Sequence, residues 1–234
     1  MNRNPEPQIP STASAAADFA QDDRAFRKET PMFPFDAILF DVGGVLLTNG
    51  WDHRERAAAV KNFQLDAAAL EARHSDYFDA WERGEISGKA YLNAVVFYEP
   101  RNFPRGEFFA FMLAQSQLLP DGALPILEEL SASNHYLLGA LNNEARETNA
   151  HRFSRFGLRR YFRVAFSSCY MGLRKPEPAM YRRAIDILGC PPQRILFIDD
   201  REENVAGAAA AGIKAIRFRG AVALRAELKN LGVL

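Results

Sequence analysis

The stretch ILFIDDREENVAGAAAAGIKAIRF, Ile195 to Phe218, decides how the rest of the chain is read. Ile195 to Ile198 is apolar at every position and then stops at two adjacent carboxylates, Asp199 and Asp200. A short run without alternation fits a strand covered on both faces, as in a parallel sheet. A helical pattern follows from Glu203 to Ala211, and Ala215 to Phe218 is again a short apolar run. The unit is strand, helix, strand. Two acids at the end of a buried strand raise each other's pKa and call for a compensating cation. Magnesium takes oxygen ligands, commonly one or two carboxylates, so this pair reads as a metal site.

Working outward, three more runs share the first one's character: Ala37 to Phe40, Tyr136 to Leu141 and Val164 to Phe166. Helical patterns over Glu144 to Phe156 and Pro178 to Leu188 lie between them, with Pro178 at a helix start and Gly189 past its end. Alternation of this kind implies an α/β fold with a doubly wound parallel sheet, whose ligands bind at the carboxyl ends of the strands. The pattern breaks between the first and second strands, where residues 50–117 carry only helical signals. Asp66 caps a helix running to Arg83 and closed by Gly84, and Ser87 caps another that ends before Pro100. Tyr77 and Trp81, four apart, share a helix face. The expected organisation is a disordered tail over residues 1–34, with a short helix around Ala15 to Phe26. An α/β core follows over 35–49 and 118–234, with a helical insertion over 50–117 lying across the strand ends.

Composition narrows the partners. Lys+Arg and Asp+Glu are equal at 29 each, so no broad field draws the chain to nucleic acid or an anionic membrane. Cys169 and Cys190 form no CxxC pair and read as free thiols, and no apolar run is long enough to span a bilayer. A cytoplasmic protein is expected; the sequence sets no oligomeric state.

Four strand ends carry chemistry. In FDVGGVL, Phe40 to Leu46, Asp41 leaves the first strand before Gly43-Gly44, where free backbone N–H groups approach an anion and the carboxylate is placed for nucleophilic attack; the bland alternative is a turn. Asn142 and Asn143 follow the second strand and offer amide donors to a phosphoryl oxygen, or else satisfy their own backbone. In GLRKPEPAMY, Gly172 to Tyr181, prolines on either side of Glu177 stiffen the approach of Lys175 to the strand ends. The fourth is Asp199-Asp200 with Asn204 four residues beyond.

In this order, the four motifs resemble the haloacid dehalogenase-like hydrolases, over the whole chain after Phe35. The resemblance implies a Rossmann-like core with a small helical cap of the C1 type and a magnesium-dependent phosphatase acting on a small phosphorylated metabolite. It makes Asp41 the nucleophile and Lys175 the group that stabilises it. Asn142 takes a phosphate-binding position usually held by Ser or Thr. Magnesium falls to Asp41, the Gly43 carbonyl and Asp200, with Asp199 beside them and Asn204, in place of a frequent Asp, orienting the acidic pair.

The main departure is Gly43, where phosphatases of the family usually carry the Asp that protonates the leaving oxygen. Losing such a group costs roughly 10²- to 10⁴-fold, about 3 to 5.5 kcal/mol. The expected consequence is a preference for aryl, acyl or anomeric phosphates. Two alternatives accompany this reading: a weakly active binding or regulatory member, motivated by Gly43 and Asn142, and a metal-free haloacid dehalogenase, disfavoured by the two carboxylates near Asp41. Trp51, Tyr77, Trp81, Tyr91 and Tyr98 are candidates to face substrate from the cap. The four histidines, His53, His74, His135 and His151, lack metal-ligand spacing and read as structural or surface groups. Arg201 is either a surface charge or a phosphate contact.

Overall fold

Five apolar runs become five parallel strands in the computed structural model, which describes residues 33–234. The expected tail and its short helix lie outside the described residues, apart from its last two positions. The strands are β1 Ala37–Phe40, β2 Leu137–Asn142, β3 Val164–Ser167, β4 Ile195–Asp199 and β5 Lys214–Arg217. They form one sheet in the order β3-β2-β1-β4-β5. Ala37 of β1 stands opposite Leu137 on one side and Ile195 on the other. Every residue of β1 and β4 is buried, as strands covered on both faces require. The chain winds outward through β2 and β3, then crosses back to β4 and β5. The crevice of such a sheet therefore lies between the ends of β1 and β4. Asp41 follows one of those strands, and Asp199 ends the other.

Helices α1 His53–Phe63, α2 Ala67–Glu82, α3 Gly88–Val95 and α4 Arg105–Ala114 all fall between β1 and β2. They enclose a core of their own built on Trp51, Phe63, Trp81, Tyr91 and Phe108. Asp52 and Glu55 close a capping box on α1, Asp66 caps α2 through Ala69 N, and Ser87 caps α3 through Ala90 N. Helix α3 ends at Val95, earlier than the approach to Pro100 suggested, and α4 starts after Pro104 with no side-chain cap. Tyr77 and Trp81 do not share burial: Tyr77 is exposed, whereas Trp81 sits in the helical core. The chain enters and leaves this unit side by side, Thr48 N donating to Gln117 O at 2.9 Å.

The remaining helices are α5 Leu124–Ser133, α6 Arg146–Arg155, α7 Ser168–Met171, α8 Pro178–Leu188, α9 Glu202–Ala210 and α10 Ala221–Asn230. Met180, Tyr181 and Ala184 of α8 join Leu39 and Phe197 of the sheet in a second buried cluster. Gly207 of α9 lets that helix come close to α8, because a Cβ there would lie 2.8 Å from the Tyr181 ring.

Candidate active site

Four of the polar groups expected from the strand ends converge. Carboxylate oxygens of Asp41, Asp199 and Asp200 lie within 4.8 Å of one another. The Lys175 ammonium reaches Asp199 Oδ2 at 2.6 Å and Asp41 Oδ1 at 3.0 Å. Lys175 and Asp199 are buried together, so neither charge is stable there without the other. Asn204 Nδ2 donates to both Asp199 oxygens, at 3.0 and 3.1 Å, and Arg201 N adds a bond of 2.8 Å. Asp199 is thus fully engaged by protein donors. Asp200 is not: its Oδ1 is buried and has no hydrogen-bond partner among the described residues.

The loop after β1 is shaped for this approach. Gly44 has φ +71°, and a Cβ on it would stand 2.3 Å from Asp200 Oδ2. Only a residue without a side chain lets the two strand ends meet. The Asp41 carboxylate also accepts from Val42 N at 2.7 Å.

Burial raises the Asp41 pKa to about 7; Lys175 opposes the rise, and Asp199 and Asp200 add to it. Asp200 is raised too, by burial and then by Asp199. Burial works against the Lys175 charge, but Asp41 and Asp199 outweigh it and hold its pKa above the ordinary lysine value. The cluster combines a fixed ammonium, carboxylates reluctant to ionise together and one orphaned buried oxygen. That is the donor set a hard divalent cation completes, and magnesium fits it.

A cavity of about 390 Å³ opens over the cluster and is lined by Asp41, Gly43, Asn143, Lys175 and Asn204. Asn143 lines it, but its amide is engaged with the Lys175 backbone, accepting from Lys175 N and donating to Lys175 O, both at 2.9 Å. It positions the lysine. Asn142 corrects the sequence expectation. Its side chain is 1% exposed and does not line the cavity; Nδ2 donates to Asn149 Oδ1 at 3.0 Å, while Oδ1 accepts from Ser167 Oγ at 2.8 Å. Asn142 stands opposite Ser167 in the sheet and in reach of α6, so its amide ties β2 to β3 and α6.

Of the candidate aromatics, Trp51 and Trp81 line the cavity, while Tyr91 is fully buried in the helical core. Tyr98 lies under the Arg73 guanidinium at 3.7 Å. Arg201 lines the cavity and meets Asp52 at 3.5 Å. Two ion pairs on the wall escaped sequence reading. Arg152 is paired with Glu144 and donates to Thr48 O; Arg174 pairs with Glu82 at 2.6 Å. Nothing local marks the Arg174–Glu82 pair or the Arg152 bond to Thr48 O, because each joins segments distant in the chain.

The fold is doubly wound α/β with its polar cluster at the switch point between β1 and β4. The chain belongs to the haloacid dehalogenase-like hydrolases, whose family pattern matches residues 35–212. It is 30% identical over 164 residues to the chloroplastic flavin mononucleotide hydrolase 1 of Arabidopsis thaliana, covering 70% of this chain and 65% of that protein, so just under two thirds of that relative is matched. It is 26% identical over 200 residues to a sesquiterpene phosphatase of Aspergillus oryzae, covering 84% of this chain and 96% of the relative. Among solved structures, a haloacid dehalogenase family enzyme of Bacteroides thetaiotaomicron, in complex with magnesium and inorganic phosphate, superposes with a TM-score of 0.62 at 20% identity, covering 80% of this chain and 95% of that one.

Proposed function

We propose that this hydrolase is a magnesium-dependent phosphatase that cleaves a small phosphate monoester through an aspartyl-phosphate on Asp41. The observation that carries the reading is the Asp41–Lys175–Asp199 bridge, whose Asp41 and Lys175 line the cavity, beside a buried Asp200 oxygen with no partner among the described residues. The relatives named above as phosphatase and hydrolase support the same class.

Asp41, the Gly43 carbonyl and Asp200 would hold the magnesium ion, with Asp199 behind them. When bound, it neutralises charge on the phosphate and on the carboxylates. Asp41 attacks phosphorus in line with the leaving oxygen, and water later hydrolyses the acyl phosphate. Lys175, fixed through Asp199 and Asn143, keeps Asp41 oriented and offers its charge to the transferring group. Asp199 and Asn204 set the lysine's place. With no acid at Gly43, the leaving group departs with little protonation, so aryl, acyl and anomeric phosphates are the preferred esters. Residues 50–117 act as the cap over residues 35–49 and 118–234 and exclude bulk water. No helix among the described residues is long and apolar enough to cross a membrane, and a cytoplasmic location suits the free cysteines.

The metal-free dehalogenase reading suits the site less well, since an orphaned oxygen on Asp200 beside Asp41 calls for a cation. Phosphate release from aryl, acyl and sugar phosphates, with magnesium or with chelator, tests the proposal. Turnover should need the metal and vanish in Asp41→Asn; full activity of that purified variant would remove the nucleophile.

A further inference from the structure

The helical side of the cavity carries Trp51, His74, Phe78 and Trp81. Each arginine on the wall already faces a carboxylate: Arg56 with Glu71 at 2.8 Å, Arg174 with Glu82 at 2.6 Å, Arg201 with Asp52 at 3.5 Å, and Arg152 with Glu144. His74 differs from all of them. Trp51 Nε1 donates to the Tyr91 hydroxyl oxygen at 2.9 Å, and an indole N–H can only donate. The Tyr91 proton must then go to its other neighbour, His74 Nδ1, at 2.7 Å. Tyr91 is fully buried, so water offers that proton no alternative. With Nδ1 accepting, a neutral imidazole carries its own proton on Nε2. Burial, then the Arg56 charge, lower the His74 pKa to about 4, which keeps the ring neutral. Burial also raises the Tyr91 pKa, which keeps its hydroxyl protonated. Among the described residues no partner accepts from His74 Nε2, and the ring is stacked on Phe78 at 5.1 Å between centroids.

We propose that His74 Nε2–H is a specificity-determining donor, its tautomer fixed by the Trp51–Tyr91–His74 chain, that recognises an uncharged acceptor on the organic part of the phosphate ester. This rests on the phosphatase reading above. The aromatic side chains that share this wall with His74 suit an apolar leaving group, and its acceptor is a carbonyl, hydroxyl or ring nitrogen. A second anionic group finds no unpaired arginine on this wall.

The test uses the full chain with magnesium and two series of probes: the ortho, meta and para acetylphenyl phosphates, and the isopropylphenyl phosphates that match them in shape but lack the carbonyl. Comparing variant with wild type cancels the difference in leaving-group acidity. In His74→Phe, which keeps a stacked ring and removes the donor, the acetyl-over-isopropyl ratio of kcat/KM should fall roughly 3- to 10-fold for at least one isomer, mostly through KM. His74→Gln, which restores an N–H donor, should recover part of that ratio. Long-range ¹H–¹⁵N spectra of the wild type at pH 6 to 8 should show one neutral Nε2–H tautomer at His74, and Tyr91→Phe should mix the two tautomers. An unchanged ratio for all three isomers, or an Nδ1–H tautomer in the wild type, overturns this inference alone. Absence of turnover of every ester by the wild type overturns the phosphatase reading with it.

Discussion

Replacing Asn204 by aspartate exposes how the acidic cluster is balanced. Asn204 Nδ2 sits 3.0 Å from Asp199 Oδ1, inside a buried group of charges. A carboxylate oxygen placed there would repel Asp199 by about 5.5 kcal/mol at an effective dielectric of 20. Taking up a proton instead costs about 4 kcal/mol at pH 7 and about 1.5 kcal/mol at pH 5 for an ordinary aspartate. Protonation is the cheaper route at both pH values, so Asp199 and the introduced carboxylate share one proton. The shared pair has a raised affinity for that proton in the folded state, so the unfolded chain releases it first and stability falls as pH rises. Relative to wild type, Asn204→Asp should lose about 1.5 kcal/mol at pH 5 and about 4 kcal/mol at pH 7. The measurement is urea unfolding of both proteins in chelator at the two pH values. Magnesium should shrink the penalty at pH 7 by accepting the extra carboxylate. A variant-minus-wild-type difference that stays constant between pH 5 and pH 7, within about 0.5 kcal/mol, refutes the balance described here.

Gly44→Ala should destabilise the fold by about 2 kcal/mol from the left-handed backbone alone, and by more once the Cβ meets Asp200, 2.3 Å away. Calorimetry should show a lowered Tm and a weakened response to magnesium; a wild-type response would mean that Asp200 does not need its present place. Magnesium should itself raise Tm, and by more at pH 8 than at pH 5.5. The reason is that burial raises the Asp41 pKa to about 7 and raises that of Asp200, so the cation must displace protons at the lower pH. In chelator the sign reverses. A carboxyl raised in the folded state loses stability as pH climbs from the unfolded value near 3.8 to about 7. Equal magnesium-induced gains at both pH values would contradict this.

The strand ends were legible because a parallel sheet brings its carboxyl ends together whatever the loops do. Asp41, Lys175, Asp199 and Asp200 could be assembled from local patterns and their order, and the structure joins Asp41 and Asp199 through Lys175. What local patterns did not contain was the direction of an individual side chain. Asn142 ends its strand as expected, yet the choice between the cavity and Ser167 rests on where α6 places Asn149. The Arg152–Glu144 pair lies within one stretch of chain, but the second bond of Arg152, to Thr48 O, crosses from α6 to the loop after β1. The Trp51–Tyr91–His74 chain joins three segments of the helical unit, none of which signals the others. Helix α4 also lacked a side-chain cap, since Pro104 cannot supply one.

Gly43 illustrates the same limit in a form that bears on chemistry. In sequence it is a missing carboxylate. In space, a Cβ there would stand 3.1 Å from Asn49 Oδ1, a tight approach, and 3.5 Å from Arg152 Nη1, an ordinary contact. Arg152 is buried and paired with Glu144, so a carboxylate introduced at 43 would meet a guanidinium and be held ionised. An ionised group cannot give up a proton to a leaving oxygen. The Arg152–Glu144 pair thus lies beside the position a proton donor at residue 43 would start from, and Gly43 offers no acid of its own. Chemistry at such a site depends on the leaving group's own stability as an anion, which links the glycine to the expected preference among esters.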